Sequence, residues 1–175
     1  MAEIRFRCPG HVALDLDVAT RWEALRAVGT IVERSAGLDA PPVFRALWRR
    51  EQAQSTALGR GVALPHARIM GIREPVTVYA RTRTPISFAA PDRGLVSQLF
   101  VILVPENADN EKHLELLARI ARMFSDGAFR TRLSVAADEA AVRSVFEDWI
   151  DPDEPVVDAP VVPPRLAPSP ASRSR

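Results

Sequence analysis

Three histidines, His11, His66 and His113, are the side chains of this 175-residue chain best suited to nucleophilic or proton-transfer work. Neutral imidazole is a good nucleophile near neutral pH, because its unperturbed pKa is about 6.5. His66 lies in GRGVALPHARI. Gly59 and Gly61 permit backbone conformations that other residues resist, and Pro65 fixes the chain just before the imidazole. The spacing predicts a histidine on a stiff, glycine-flanked turn, which taken alone fits a structural loop histidine better than a nucleophile. His113 lies in PENADNEKHLELLARIARMF, where Asp109 or Asn110 can cap a helix and put His113 in its first turn. That end of a helix carries unpaired N–H groups and positive potential, which suit an anion. A second imidazole there could donate to phosphate oxygens, or it could be an ordinary surface residue. His11, in PGHVALDLD, has no functional partner in the sequence and reads as structural. Arg49, Arg50 and Glu51 end a second helix. Arginine there complements the helix dipole, and Arg50 could equally reach a phosphoryl group with two parallel hydrogen bonds.

Other chemistries find little support. Two distant histidines have no metal-ligand spacing, and the one cysteine, Cys8, cannot build a Cys-based metal site or a disulfide within the chain. GRG lacks the third glycine of a dinucleotide fingerprint, and neither GxxxxGK[ST] nor GxSxG occurs. No metal and no cofactor is expected. Net charge is +1, with 23 basic and 22 acidic residues interleaved, so no basic stripe marks a nucleic-acid partner. The N-terminus lacks a long apolar signal segment, and the run from Leu99 to Pro105 is too short to span a bilayer. With a single cysteine, a soluble cytoplasmic protein is expected, without membrane insertion.

The elements that must position these residues follow from patterning. A helix is expected over 17–34, capped by Asp17, with Val18, Trp22, Leu25, Val28 and Val32 on one face. A second opens at Asp39, with Pro41 and Pro42 in its first turn and Phe44, Leu47 and Trp48 inward. Residues 76–82 are strand-like, and 97–104 (SQLFVILV) form the nearly continuous apolar run of a strand covered on both faces. A helix over 111–124 carries Leu114, Leu117, Ile120, Ala121 and Phe124 at helical spacing. A last helix over 138–150 buries Val142, Val145, Phe146 and Trp149. Alternating elements around a buried strand imply an α/β sandwich over residues 3–150. Residues 151–175 hold seven of the fifteen prolines and few large apolar groups, and read as a proline-rich disordered tail.

Taken together, RREQAQSTALGRGVALPHARI, TPISFAAPDRGLVSQLFVILVPEN and HLELLARIARMF make the chain resemble the mannitol/fructose-type IIA domain of the bacterial phosphotransferase system, which includes nitrogen-regulatory IIA proteins. The likeness spans roughly residues 11–150. It departs at Ala57-Leu58, where members often carry Gly-Ile, and at Leu64, where they carry Ile. It implies a mixed β-sheet flanked by helices and a phosphotransferase in which His66 is the phosphorylated histidine, Arg50 supports the phosphoryl group and His113 lines the site. It implies a histidine phosphocarrier protein as donor. Downstream it implies either a regulatory target, such as a kinase or a potassium transporter, or a IIB domain of a sugar transporter. With no IIB-like stretch beside the domain, the regulatory branch is favoured. An interaction module independent of phosphorylation is the rival from another class.

Overall fold

The computed structural model describes residues 8–150, so the expected tail and the first residues of the expected domain lie outside the described residues. Among the described residues six strands and five helices follow in the order β1 (His11–Leu16), α1 (Arg21–Ala36), α2 (Ala40–Ala53), β2 (Ala57–Gly59), β3 (Val62–Ala63), β4 (His66–Ile69), β5 (Val76–Ser87), β6 (Leu95–Pro105), α3 (Asn110–Ser125), α4 (Gly127–Val135) and α5 (Glu139–Glu147), so the strands after β1 are consecutive and do not alternate with helices as expected. The strands form one mixed sheet in the order β1-β5-β6-β3-β2, with β4 also on β6. β5 and β6 are antiparallel, whereas β1 runs parallel to β5, and β3 and β4 run parallel to β6. The α/β class and the flanked mixed sheet are as expected.

β6 is the middle of the construction. Its residues from Val96 to Val104 are buried except Ser97, as a strand covered on both faces requires. Alternation sends Leu99, Val101 and Leu103 into a core under α1 and α2, and Phe100, Ile102 and Val104 into a second core under α3, α4 and α5. The second core centres on Phe100, Phe124, Phe129 and Phe146. The Phe129 and Phe146 rings meet edge-on at 5.1 Å, and those of Phe124 and Phe129 at 5.3 Å. Such pairs are worth about 0.5–1.5 kcal/mol each beyond their buried area.

Several boundaries differ from expectation. α1 starts at Arg21, because Thr20 is its N-cap: the Glu23 backbone N–H donates to Thr20 Oγ1 at 3.1 Å. Glu23 in turn accepts from the Ala19 N–H, and Asp17 is left exposed before the helix. The stretch before it, HVALDL, is β1. On α3 the stripe facing the sheet is Leu116, Ile120, Met123 and Phe124, while Leu114 is 64% exposed. The helix is rotated so that Leu116, not Leu114, reaches the core. α5 ends at Glu147, so Trp149 packs at the edge of the second core from beyond the helix. α4 joins the expected elements; Asp126 caps it by accepting from Ala128 N–H at 2.8 Å.

Candidate functional site

β3 and β4 lie end to end along the same side of β6, interrupted only by Leu64 and Pro65. Proline has no N–H to give the ladder, so the strand breaks there. Its carbonyl stays in register and accepts from Ile102 N–H at 3.0 Å, and His66 then pairs with Ile102. The turn feeding β3 has positive φ at Gly59 (86°), Arg60 (55°) and Gly61 (82°), which accounts for two of the glycines in the motif. Asp92 fastens this turn by accepting from Arg60 N–H at 2.7 Å. Ala57, where a glycine was the common alternative, is extended in β2 opposite Ala63 and needs no glycine freedom. His66 thus opens a strand instead of riding on the turn itself. Its backbone is tied to the most buried strand in the molecule, and it is held more rigidly than a loop residue.

Along β4, Ala67 and Ile69 enter the first core, so His66 and Arg68 face the other way, toward α3. α3 begins at Asn110, with Asp109 as its N-cap, and carries His113 at the end of its first turn. The His66 and His113 rings lie 5.7 Å apart, tilted by 56°. Arg50, near the C-terminal end of α2, reaches in from the sheet edge and donates from Nε to His66 Nε2 at 3.1 Å. Its Nη1 donates to the carbonyl of Gln54 at 2.9 Å, anchoring the guanidinium to the end of its own helix. The structure therefore brings together Arg50, His66 and His113. His11 opens β1 on the far side of the sheet from β4, as the structural reading requires.

Hydrogen bonding fixes the His66 tautomer. Nδ1 lies 2.9 Å from the Leu64 carbonyl, which can only accept, so the ring proton sits on Nδ1. Nε2 keeps its lone pair, aimed at the cleft and at the Arg50 guanidinium. Burial, chiefly, and the Arg50 charge push the His66 pKa below 6.5, against the Leu64 carbonyl, which pulls it up. The lowered pKa favours the neutral ring at pH 7, with the Nε2 lone pair facing the cleft. His113 is also held below 6.5, by burial first and then by the charges of His66 and Arg68. Its Nδ1 is buried with no hydrogen-bond partner among the described residues. A buried orphan N–H is costlier than a buried orphan lone pair, so the neutral ring keeps its proton on Nε2, free to donate into the cleft.

The cleft has a volume of about 440 Å³, and besides the two histidines its polar lining is Arg49, Arg50 and Arg68. No carboxylate among the described residues lines it. Arg68 is the residue that sequence reasoning passed over; the signal was its position two residues from His66, which shares a face only if HARI is a strand. A partly buried neutral imidazole facing three guanidiniums, with a second imidazole able to donate, is a site for an anionic electrophile of phosphoryl size.

An α/β protein built on this mixed sheet, with such a cleft at the sheet edge, falls in the class of IIA-type domains. Residues 6–149 match the family described as "phosphoenolpyruvate-dependent sugar phosphotransferase system, EIIA 2", and the chain belongs to that family. It is 35% identical over 141 residues to a nitrogen regulatory protein of Pseudomonas aeruginosa, covering 80% of this chain and 91% of that protein. The structure superposes on the nitrogen regulatory protein IIA-Ntr of Neisseria meningitidis with a TM-score of 0.73 at 38% identity, over 78% of this chain and 93% of that one. The fold also matches a chain of the complex of enzyme IIAMTL and phosphorylated enzyme IIBMTL from Escherichia coli. That TM-score is 0.64 at 18% identity, over 77% of this chain and 92% of that one. No helix among the described residues is long and apolar enough to cross a membrane.

Proposed function

We propose that this chain is a phosphoryl-accepting IIA component of a phosphoenolpyruvate-dependent phosphotransferase system, taking the group from a histidine phosphocarrier protein onto His66 Nε2. The observation that carries the reading is the state of His66: Nδ1 committed to the Leu64 carbonyl, and Nε2 unprotonated and 3.1 Å from the Arg50 guanidinium. In the transfer, the lone pair on Nε2 forms the new N–P bond as the donor's N–P bond breaks and its electron pair returns to the donor nitrogen. The phosphoryl group displaces the Arg50–Nε2 contact, and Arg50 then donates to its oxygens. His113 donates from Nε2 to another oxygen. The Nδ1–H keeps donating to the Leu64 carbonyl, which stabilises the ring as it becomes positive. Little covalent help is needed in phosphoryl transfer, so positioning and charge supply the catalysis.

The regulatory branch is the better supported outcome. The nitrogen regulatory relatives are 32–38% identical, against 32% for a fructose-specific EIIA component of Haloferax volcanii and 18% for the mannitol protein, whose partner is a IIB protein. The downstream partner in this reading is a regulatory target that distinguishes the two charge states of the cleft. Incubation with phosphoenolpyruvate, enzyme I and the cognate phosphocarrier tests the reading. The intact mass should rise by about 80 Da, in an acid-labile form absent from His66→Ala. An unchanged mass for folded protein with active cognate components overturns it and favours a phosphorylation-independent interaction module.

A further inference from the structure

Arg68 is the one cleft cation whose guanidinium is committed to the protein on both arms. Nη1 donates to the carbonyls of Glu106 and Ala108, each at 2.8 Å, and Nη2 donates to Asn110 Oδ1 at 2.6 Å. These acceptors span the whole connection between the end of β6 and the first residue of α3. The Glu106 N–H also donates to the Ile69 carbonyl at 3.1 Å, so the connection is stitched to β4 by backbone as well as side chain. His113 follows one turn later, its N–H bonded to the Asp109 carbonyl at 3.0 Å. Arg68 shares a strand and a face with His66. A single planar fork therefore joins the strand that carries one imidazole to the helix start that carries the other.

We propose that Arg68 is a positioning residue of the phosphoryl site: it holds His113 at its working distance from His66 by fastening the 106–110 segment to β4, and it does so by geometry more than by charge. The inference rests on the reading of His66 as the phosphoryl acceptor. With both Nη atoms engaged by the connection, Arg68 acts through His113 and not by grasping the phosphoryl group. Lysine cannot substitute, because one ammonium nitrogen cannot span acceptors that the two arms of a guanidinium reach. Without the fork, the start of α3 keeps its Asp109 cap, and the Glu106–Ile69 backbone bond holds only the far end of the connection, so residues 108–110 lose their tie to β4; a displacement of about 1 Å at a reacting site can cost 10²-fold in rate.

The test is single-turnover transfer from the phosphorylated carrier to wild type, Arg68→Met, Arg68→Lys, His113→Ala and the Arg68→Met/His113→Ala double variant. Arg68→Met should slow transfer roughly 10–100-fold, with the apparent KM for the carrier within about twofold of wild type. Arg68→Lys, which keeps the charge and the aliphatic stem, should be nearly as slow and covers the case in which Arg68→Met does not fold. The double variant should be no more than about threefold slower than His113→Ala, since the two residues act as one unit. Full rate in Arg68→Lys, or a double variant slowed by the product of the single effects, would overturn the proposal. If wild type accepts no phosphoryl group, the acceptor reading fails separately. Positioning is then read by NMR: both Arg68 variants should lose the His66–His113 ring contacts while the Phe129–Phe146 contacts persist, and retention of the ring contacts overturns it.

Discussion

Replacing Arg50 by methionine separates two jobs that one guanidinium does at His66. Its Nε donates to His66 Nε2 at 3.1 Å, and its charge helps to lower the His66 pKa, second to burial among the lowering influences. With the charge gone, burial still acts and the Leu64 carbonyl still opposes it, so the His66 midpoint moves up toward 6.5. At pH 8 the ring is neutral in both proteins, and any rate difference there reflects the phosphoryl group alone. In the proposed transfer, what is lost is a charge-assisted donor to the transferring oxygens. Removing one such preorganised donor costs about 2.7–4 kcal/mol, or roughly 10²–10³ in rate. Stability should change little, because Arg50 is partly exposed and its other partner is the Gln54 carbonyl of its own helix end. Two assays suffice: a His66 NMR titration and rapid-quench transfer from the phosphorylated carrier at pH 8. Three results refute the reasoning: a wild-type midpoint at or above 6.5, a midpoint that falls in Arg50→Met, or a pH 8 rate within about threefold of wild type.

Other consequences are as specific. Glu51, 2% exposed, accepts from Thr56 N–H at 2.9 Å, Thr56 Oγ1 at 2.6 Å and Arg21 Nη1 at 3.3 Å. Glu51→Ala strands the two buried Thr56 donors, while Arg21, about a third exposed, can turn to water, and should cost about 2–4 kcal/mol in urea unfolding. Gly59→Ala places a Cβ 3.0 Å from Asp92 Oδ2 at a φ of 86°, and should lose about 1–3 kcal/mol by the same measurement. Because His66 and His113 both have lowered midpoints when folded, the unfolded chain takes up protons first. Stability should therefore be full above pH 6.5 and fall as pH drops through 6.5, levelling only below the folded midpoints. His66→Gln should flatten part of that fall in calorimetric scans from pH 8 to pH 5.

The legible parts of the fold were those in which one local signal had no competitor. Asp39-Ala-Pro-Pro starts α2 as expected, and SQLFVILV is the strand buried on both faces. Misreadings arose where two patterns overlapped. HVALDL alternates weakly just before a helical pattern, so β1 went unassigned and the helix was started early, at Asp17, although Thr20 with Glu23 three residues later marked the true start. On α3 the leucines at 114, 116 and 117 offer more than one apolar stripe, and only the packing of α3 on β6 selects 116. β2 and β3, of three and two residues, are too short for any periodicity to register. At the site, residue type singled out His66, His113 and Arg50, but their convergence needs β4 parallel to β6 with α2 reaching the sheet edge. That is long-range information absent from any local window, and the family likeness stood in for it. Arg68 was missed because a two-residue spacing means nothing until the segment is known to be a strand.

The electrostatics of the cleft bear on how a phosphorylated state would be read. Among the described residues three arginines line it and no carboxylate does. A phosphoryl group adds about −1.5 to −2 charges. Arg68 is already spent on the 106–110 segment, and in the proposed transfer Arg50 stays anchored to the Gln54 carbonyl while only its contact with His66 Nε2 is exchanged for the phosphoryl oxygens, so neither has to move far to accommodate the group. The two states then differ by a local change of potential on a nearly fixed surface, not by a refolded segment. A partner that distinguishes them must place its own charge within about a Debye length, roughly 8–10 Å at physiological ionic strength, of Nε2. Its preference for one state should weaken steeply with salt. A preference that survives 1 M salt would instead require a conformational change that the tied-down elements around His66 give no room for.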